Sequence, residues 1–373
     1  MQVPLSRPDI TDLEISAVEG VLRSPFLSMG VRVEEFESAI ADYVGSRYGI
    51  AVNSGTSGLH LLVRAFDIGE GDQVITTPFS FVASSNCILY ERAQPVFVDI
   101  EPQTLNLDSN AVEAAITPRT KAILVVDAFG HPARLDEVKS IAERHGLKVI
   151  EDSCESLGSQ YKGLMAGNPA YCDGAVFAFY PNKQITTGEG GMIVTADEET
   201  ARLCRSMRNQ GRGEANVWLS HERLGYNYRL DEMSAALGVA QMQRIDEILA
   251  KRARVAAEYE KHLSRLQGVR LPRPAPEVDI SWFVYVIRLD EHISRDGVMQ
   301  YLLDNGVGCR PYFTPIHLQP FYREQFGYRE GDFPETERAG RTCLAIPFYN
   351  NLTEVEMDYV VENLRRAIEL YQE

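Results

Sequence analysis

Lys183 stands in the run Phe177-Ala178-Phe179-Tyr180-Pro181-Asn182-Lys183-Gln184-Ile185-Thr186-Thr187-Gly188-Glu189-Gly190-Gly191, with aromatic residues before it and glycines after it. Partial burial in such company disfavours the ammonium and leaves a nucleophilic amine, which is what Schiff-base chemistry requires. Asp152 closes an apolar stretch 31 residues earlier. A carboxylate there suits the ring nitrogen of pyridoxal 5'-phosphate, the cofactor that a lysine of this kind would hold. Neither residue is diagnostic alone: a loop lysine is by default solvated, and an aspartate at a strand end more often caps a turn.

Asn53-Ser54-Gly55-Thr56-Ser57-Gly58 supplies a third feature. It precedes Leu59, Leu62, Val63 and Phe66, whose spacing of i, i+3, i+4 and i+7 predicts a helix with one apolar face. Small residues at a helix N-terminus leave backbone N–H donors and the positive dipole end free for a phosphate, with the Thr56 and Ser57 hydroxyls as further donors. A ligand-free cap has the same composition, so the three features argue together. Phe81, in Phe79-Ser80-Phe81-Val82-Ala83, reads either as core packing or as a platform for an aromatic ring.

These residues need a scaffold that brings strand ends and a helix start to one place. From about residue 50 to 195, short β-branched runs alternate with helix-length amphipathic segments, the pattern of an α/β domain with a mostly parallel sheet. Val74-Ile75-Thr76, Pro95-Val96-Phe97-Val98, Ala122-Ile123-Leu124-Val125-Val126 and Val149-Ile150 read as strands, and Leu135 to His145 as a helix stopped by Gly146. One long or kinked helix is expected from Arg229 to about Leu266, followed by a break at Pro272, Pro274 and Pro276. Beyond it, Trp282–Leu289 alternates like a strand, Arg295–Asp304 and Glu354–Tyr371 read as helices, and Val307–Arg310 as extended chain. The expected organisation is a large cofactor-binding domain over 1–250 and a smaller α+β domain over 251–373.

A chain of 373 residues with net charge −16 repels nucleic acid and anionic membranes. Its six cysteines are scattered, without the paired spacing of a zinc site or a disulfide framework, which points to a reducing cytosol and no metal. No apolar run has the length of a membrane span or signal core, so a cytoplasmic location is expected.

The ordered motifs resemble those of the DegT/DnrJ/EryC1/StrS family of sugar aminotransferases. They are Asn53-Ser54-Gly55-Thr56-Ser57, Gly71-Asp72-Gln73-Val74-Ile75, Glu151-Asp152-Ser153-Cys154-Glu155-Ser156-Leu157-Gly158, the Lys183 to Gly191 run, Gly225-Tyr226-Asn227-Tyr228-Arg229 and Pro315-Ile316-His317. The resemblance implies the type I (aspartate aminotransferase-like) fold. It implies that Lys183 forms the Schiff base, that Asp152 pairs with the pyridine nitrogen, and that Gly55, Thr56 and Ser57 hold the phosphate. Phe81 takes the ring-stacking position, and Glu155 stands where other members often have Gln or His near the ring hydroxyl. Asn227 would reach the phosphate bound in a neighbouring subunit, which makes the active unit a homodimer with shared sites. One departure is Ala178: many members carry a phosphate-binding Ser five residues before the lysine.

The same resemblance implies ping-pong transamination, in which an amino acid, L-glutamate by analogy, gives its amine to the cofactor and a nucleotide-linked keto sugar then accepts it. The Thr186 to Gly191 run is similar to that of members aminating carbon 4 of 4-keto-6-deoxy sugars, GDP-perosamine synthases among them. Tyr180, Arg310, Tyr312 and His317 are the expected substrate contacts, although a histidine close to prolines also serves to pin a loop. Arg208, Arg212 and Arg223 are a further basic supply for a diphosphate, or else solvated charges. Two rivals stay open: a type I lyase or desulfurase, with Arg310 clamping an α-carboxylate, and a non-catalytic regulatory relative.

Overall fold

The computed structural model describes residues 1–213 and 220–372. Thirteen strands are present among them: β1 Tyr48–Val52, β2 Gln73–Thr76, β3 Gln94–Phe97, β4 Thr120–Val126, β5 Lys148–Asp152, β6 Gln160–Tyr161, β7 Leu164–Met165, β8 Gly174–Ala178, β9 Gly191–Thr195, β10 Val269–Arg270, β11 Val278–Asp279, β12 Tyr285–Leu289 and β13 Cys343–Ile346. Seven form the central sheet in the order β1-β9-β8-β5-β4-β2-β3. Only β9 runs against the others, pairing antiparallel with both β1 and β8.

The sheet is buried on both faces, as a parallel sheet must be, and strand periodicity divides its side chains between two cores. In β4, Ile123 and Val125 join one core, which includes Phe36, Ile40, Leu135 and Val138, while Ala122, Leu124 and Val126 join the other with Leu59, Leu62, Val63 and Cys204. Register fixes where the chemistry lies. Asp152, the last residue of β5, pairs with Val176 of β8, and Ala178 at the end of β8 faces Gly191 at the start of β9. Gly191 in turn faces Val52, the last residue of β1. The C-terminal ends of three parallel strands therefore share one edge, the usual place for ligands in open α/β sheets.

The predicted helix Leu135–His145 is present and ends at Gly146 in the left-handed region (φ 66°). The helices Arg295–Asp304 and Glu354–Tyr371 also match, the latter starting with a Thr353/Glu356 capping box. The long helix is interrupted: Glu232–Gln243 and Ile245–Leu263 meet at Arg244, whose φ/ψ of −113°/11° leaves the helical region. Trp282–Val284 precede the strand β12 rather than beginning it, and Val307 and Arg310 make isolated bridges instead of a strand.

A second core surrounds the sheet β10-β12-β13, with Tyr259, Tyr285, Leu344, Val360 and Leu364 at its centre. The helix Ile245–Leu263 spans both cores, placing Ile245 and Ile248 in the first and Val255, Ala256 and Tyr259 in the second. The first residues of the chain pack against its C-terminal part. Val3 is buried in the C-terminal core and exchanges backbone hydrogen bonds with Gly306 and Gly308, and the Phe348 N–H donates to Leu5. Such long-range pairing leaves no local trace in so short a segment.

Candidate active site

A cavity of about 660 Å³ opens at the strand edge just described. Gly55, Thr56, Phe81, Asp152, Glu155, Ala178, Tyr180, Lys183, Arg310 and Tyr312 all line it, so residues up to 257 positions apart in sequence meet there. The helix Gly55–Ala65 points its N-terminus into the space, capped by Ser54, whose Oγ accepts the Ser57 N–H at 3.1 Å. Gly55 is required by close packing: a Cβ there would stand 2.8 Å from Cys154 Sγ and 2.9 Å from Ala178 Cβ. Gly191 has the same constraint, because its Cβ would lie 2.6 Å from the Ser54 carbonyl group. Ser57 departs from expectation. It is buried outside the cavity lining, and its hydroxyl donates to Asn53 Oδ1 at 2.6 Å, so the cap itself consumes that donor.

Asp152 is buried, and both carboxylate oxygens have donors. Ser84 Oγ donates to Oδ2 at 2.6 Å, with Ser80 beside it at 2.7 Å, and the Cys154 N–H donates to Oδ1 at 3.3 Å. The two donors fix the direction in which the carboxylate faces. Sequence reasoning missed Ser80 and Ser84; the only trace was a serine-rich stretch around Phe81.

Lys183 follows β8 by five residues, and its Nζ lies 3.5 Å from Glu155 Oε1 and 3.9 Å from the centre of the Phe283 ring. Phe283 comes from the C-terminal half and was invisible as a site residue, because an aromatic in an apolar run reads as core. Glu155 Oε2 accepts the Phe129 N–H at 2.9 Å. Burial pushes the Glu155 carboxyl above its ordinary range, with Lys183 opposing the shift. Beside Lys183, Asn182 Oδ1 is buried in the lining with no hydrogen-bond partner among the described residues.

The mouth is aromatic. Phe81 is 63% exposed and Tyr180 53%, so the packing alternative for Phe81 does not hold. Arg310 and Tyr312 enter from the segment between the helix Arg295–Asp304 and β13. Arg310 Nη1 donates to the Cys309 carbonyl at 2.8 Å. Burial, reinforced by the Glu155 charge, pushes the Tyr312 phenol up to about 12.

His317 does not reach this space. Its side chain is 0% exposed, its Nε2 is 3.1 Å from Glu337 Oε1 and its ring packs on Phe333 at 4.8 Å. Its contacts hold a loop, and it lies outside the cavity that the other expected substrate residues line. Asn227 is exposed and absent from this chain's own lining, the position that a role in another subunit requires. Arg208, Arg212 and Arg223 also lie outside the cavity. Arg208 pairs with Glu37 and the Ala51 carbonyl, and Arg223 with Ser206 and Glu222.

The donor set fits pyridoxal 5'-phosphate. A helix N-terminus with small residues, an oriented carboxylate and a largely buried lysine line one cavity. Among the described residues no cluster of His, Cys, Asp and Glu could hold a metal ion, and no helix is long and apolar enough to cross a membrane.

The sequence profile of the DegT/DnrJ/EryC1/StrS aminotransferase family matches residues 8–365. The chain is 41% identical to GDP-perosamine synthase of Caulobacter vibrioides, over 91% of each protein. It is 36% identical to the spore coat polysaccharide biosynthesis protein SpsC of Bacillus subtilis, covering 98% of this chain and 97% of that one. The solved structure of S. venezuelae DesV in complex with a ketimine intermediate superposes with a TM-score of 0.91, at 34% identity and 99% coverage of both chains.

Proposed function

The chain belongs to the DegT/DnrJ/EryC1/StrS family of pyridoxal phosphate-dependent aminotransferases, and from that membership we propose that it transfers the amino group of L-glutamate to carbon 4 of a nucleotide-linked 4-keto-6-deoxy sugar, for amino-sugar and surface polysaccharide synthesis. The observation that carries this reading is the cavity: about 660 Å³ surrounds Lys183 and Asp152 and opens through an aromatic mouth, room for a cofactor and a sugar together.

Pyridoxal 5'-phosphate supplies an aldehyde carbon and a protonated ring that draws electrons from the carbon losing its proton. The chain supplies the rest. Lys183 offers its amine as the covalent anchor and, when released, takes the α proton from one carbon and returns it to another. Asp152, held by Ser84 and the Cys154 N–H, would serve the ring nitrogen, where a carboxylate would favour the protonated ring. Gly55 and Thr56 would hold the phosphate with backbone N–H groups and one hydroxyl, and Phe81 would offer a face to the ring. Arg310, a guanidinium lining the cavity, and Tyr312 receive anionic and polar parts of the substrates, and Tyr180 borders the sugar.

Asn227 of the partner subunit completes the phosphate site in this reading. Exposed apolar side chains in one short stretch, Leu22, Phe26, Leu27, Met29 and Val31, support a second copy as their cover. The large unit extends to about residue 250 and the small one from 251 to 373, with the first residues packed on the latter.

The test is incubation with ¹⁵N-labelled L-glutamate and nucleotide-linked 4-keto-6-deoxy sugars, read by mass spectrometry and NMR. Label on carbon 4 of the sugar with stoichiometric 2-oxoglutarate is expected. Ammonia or sulfide released from an amino acid without a sugar acceptor contradicts the reading and favours a lyase or desulfurase.

A further inference from the structure

Two buried carboxylates share the cavity with Lys183, and their surroundings differ in one respect. Asp152 has two donors independent of the lysine, the Ser84 hydroxyl and the Cys154 N–H. Glu155 has the Phe129 N–H and otherwise depends on the Lys183 ammonium at 3.5 Å. Among the other groups around it, Asp152 is a like charge, Cys154 and Tyr312 are neutral, the Phe283 ring favours the cation beside it, and the Arg310 guanidinium lines the same cavity but makes no ion pair with Glu155 among the described contacts. From this geometry we infer that Glu155 is the proton store of Lys183, taking a proton from Nζ when the lysine must act as an amine and returning it afterwards. The inference rests on the aminotransferase reading and assigns the part of the site that this reading leaves idle.

The step is balanced. The Nζ–H bond of Lys183 breaks and an O–H bond forms on Glu155 Oε1, turning a charged pair into a neutral one with no change in total charge. Nζ then carries a free lone pair and two protons, which is what condensation with an aldehyde would require: the lone pair for the new carbon–nitrogen bond and the two protons for the oxygen that leaves as water. Once Lys183 is covalently engaged, its ammonium no longer stabilises Glu155, and a buried carboxyl with one backbone donor and a like charge nearby remains protonated. Burial already pushes this carboxyl up while the ammonium is present. The donors of Asp152 do not change in this step, so the proton moves between Lys183 and Glu155 alone.

The measurement is infrared difference spectroscopy on the cofactor-free full-length chain, before and after addition of pyridoxal 5'-phosphate, with the visible absorbance followed in the same sample. The expected result is a new protonated-carboxyl C=O stretch accompanying the visible Schiff-base band in the wild type. In Glu155→Gln the visible band should form without the carboxyl signal, and in Glu155→Asp the signal should return at a shifted frequency. A purely structural role for Glu155 would leave the carboxyl signal in place in Glu155→Gln, which overturns the inference. A visible band with no carboxyl signal in the wild type overturns it as well and leaves the aminotransferase reading intact. If the visible band never forms in the wild type, the cofactor reading fails and takes the inference with it.

Discussion

Ala178 illustrates how much one side chain can change a binding site without altering the fold. It lines the cavity beside Gly55, so in the proposed reading a serine hydroxyl there would add a donor for the phosphate. A hydrogen bond to a charged group contributes roughly 1.5–3 kcal/mol, so Ala178→Ser should tighten cofactor binding about tenfold to a hundredfold. Equilibrium dialysis of pyridoxal 5'-phosphate measures this, and unchanged affinity would show that position 178 does not face the phosphate. His317→Ala tests whether that residue serves the fold or the substrate: a lower melting temperature with unchanged KM for sugar substrates is expected, since Glu337 and Phe333 lose their partner while the cavity lining is untouched. At this scale Lys183, Asp152, Gly55 and Thr56 were legible because glycines, aromatics and strand ends leave local patterns. Ser57 lies outside the lining, with its hydroxyl on Asn53, a placement that sequence could not foresee because a hydroxyl that caps a helix and one that binds a ligand look the same there. Phe283, Ser84 and Asn182 entered the site only through tertiary contacts that no local pattern records.

The elements place these groups through register and close backbone approach. Gly191 joins β9 to the start of the phosphate helix, and its Cβ would collide with Ser54 backbone atoms at 2.6 Å. Gly191→Ala should therefore displace the helix N-terminus and weaken cofactor binding by at least the tenfold that loss of about 1.4 kcal/mol represents; wild-type affinity in a titration would count against this helix as the phosphate site. Another element-scale contact is sensitive to acid. Burial alone would raise the Glu14 pKa, but hydrogen bonds from Thr11, Arg244 and Gln241 outweigh it and hold the value at about 2, against 4.5 for the free residue. The depressed folded-state value means that this contribution is fully present above about pH 4.5 and is lost as pH falls toward 2. Acid unfolding of Glu14→Gln should be less steep between these values than that of the wild type, and identical profiles would contradict the assignment. Helices with clear stops, such as Leu135–His145 before Gly146, were legible almost to the residue. The break at Arg244 was not, because Ile245 and Ile248 continue the apolar pattern across it and only the change of packing partner marks it.

The whole molecule was legible as a class, since alternating strands and helices with motifs at strand ends specify an open α/β sheet. Its less visible parts are those joined over long distances: Val3 buried in the C-terminal core, and a cavity wall contributed by Arg310, Tyr312 and Phe283. Shared sites between two copies can be tested by mixing inactive variants. If each site takes Lys183 from one chain and Asn227 from the other, a mixture of Lys183→Ala and Asn227→Ala chains re-forms one native site in each mixed dimer. With free exchange of equal amounts, about a quarter of wild-type activity should return. No recovery after confirmed subunit exchange would place Asn227 outside the partner's site.

The central claim, transamination through Lys183, is tested most directly by the visible absorption spectrum of the protein reconstituted with pyridoxal 5'-phosphate and titrated with L-glutamate. The account predicts a yellow Schiff-base band in the wild type that fades to the pyridoxamine form as glutamate is added, with no such band anchored in Lys183→Ala. A wild-type band that ignores amino donors, or the same band in Lys183→Ala, would contradict it.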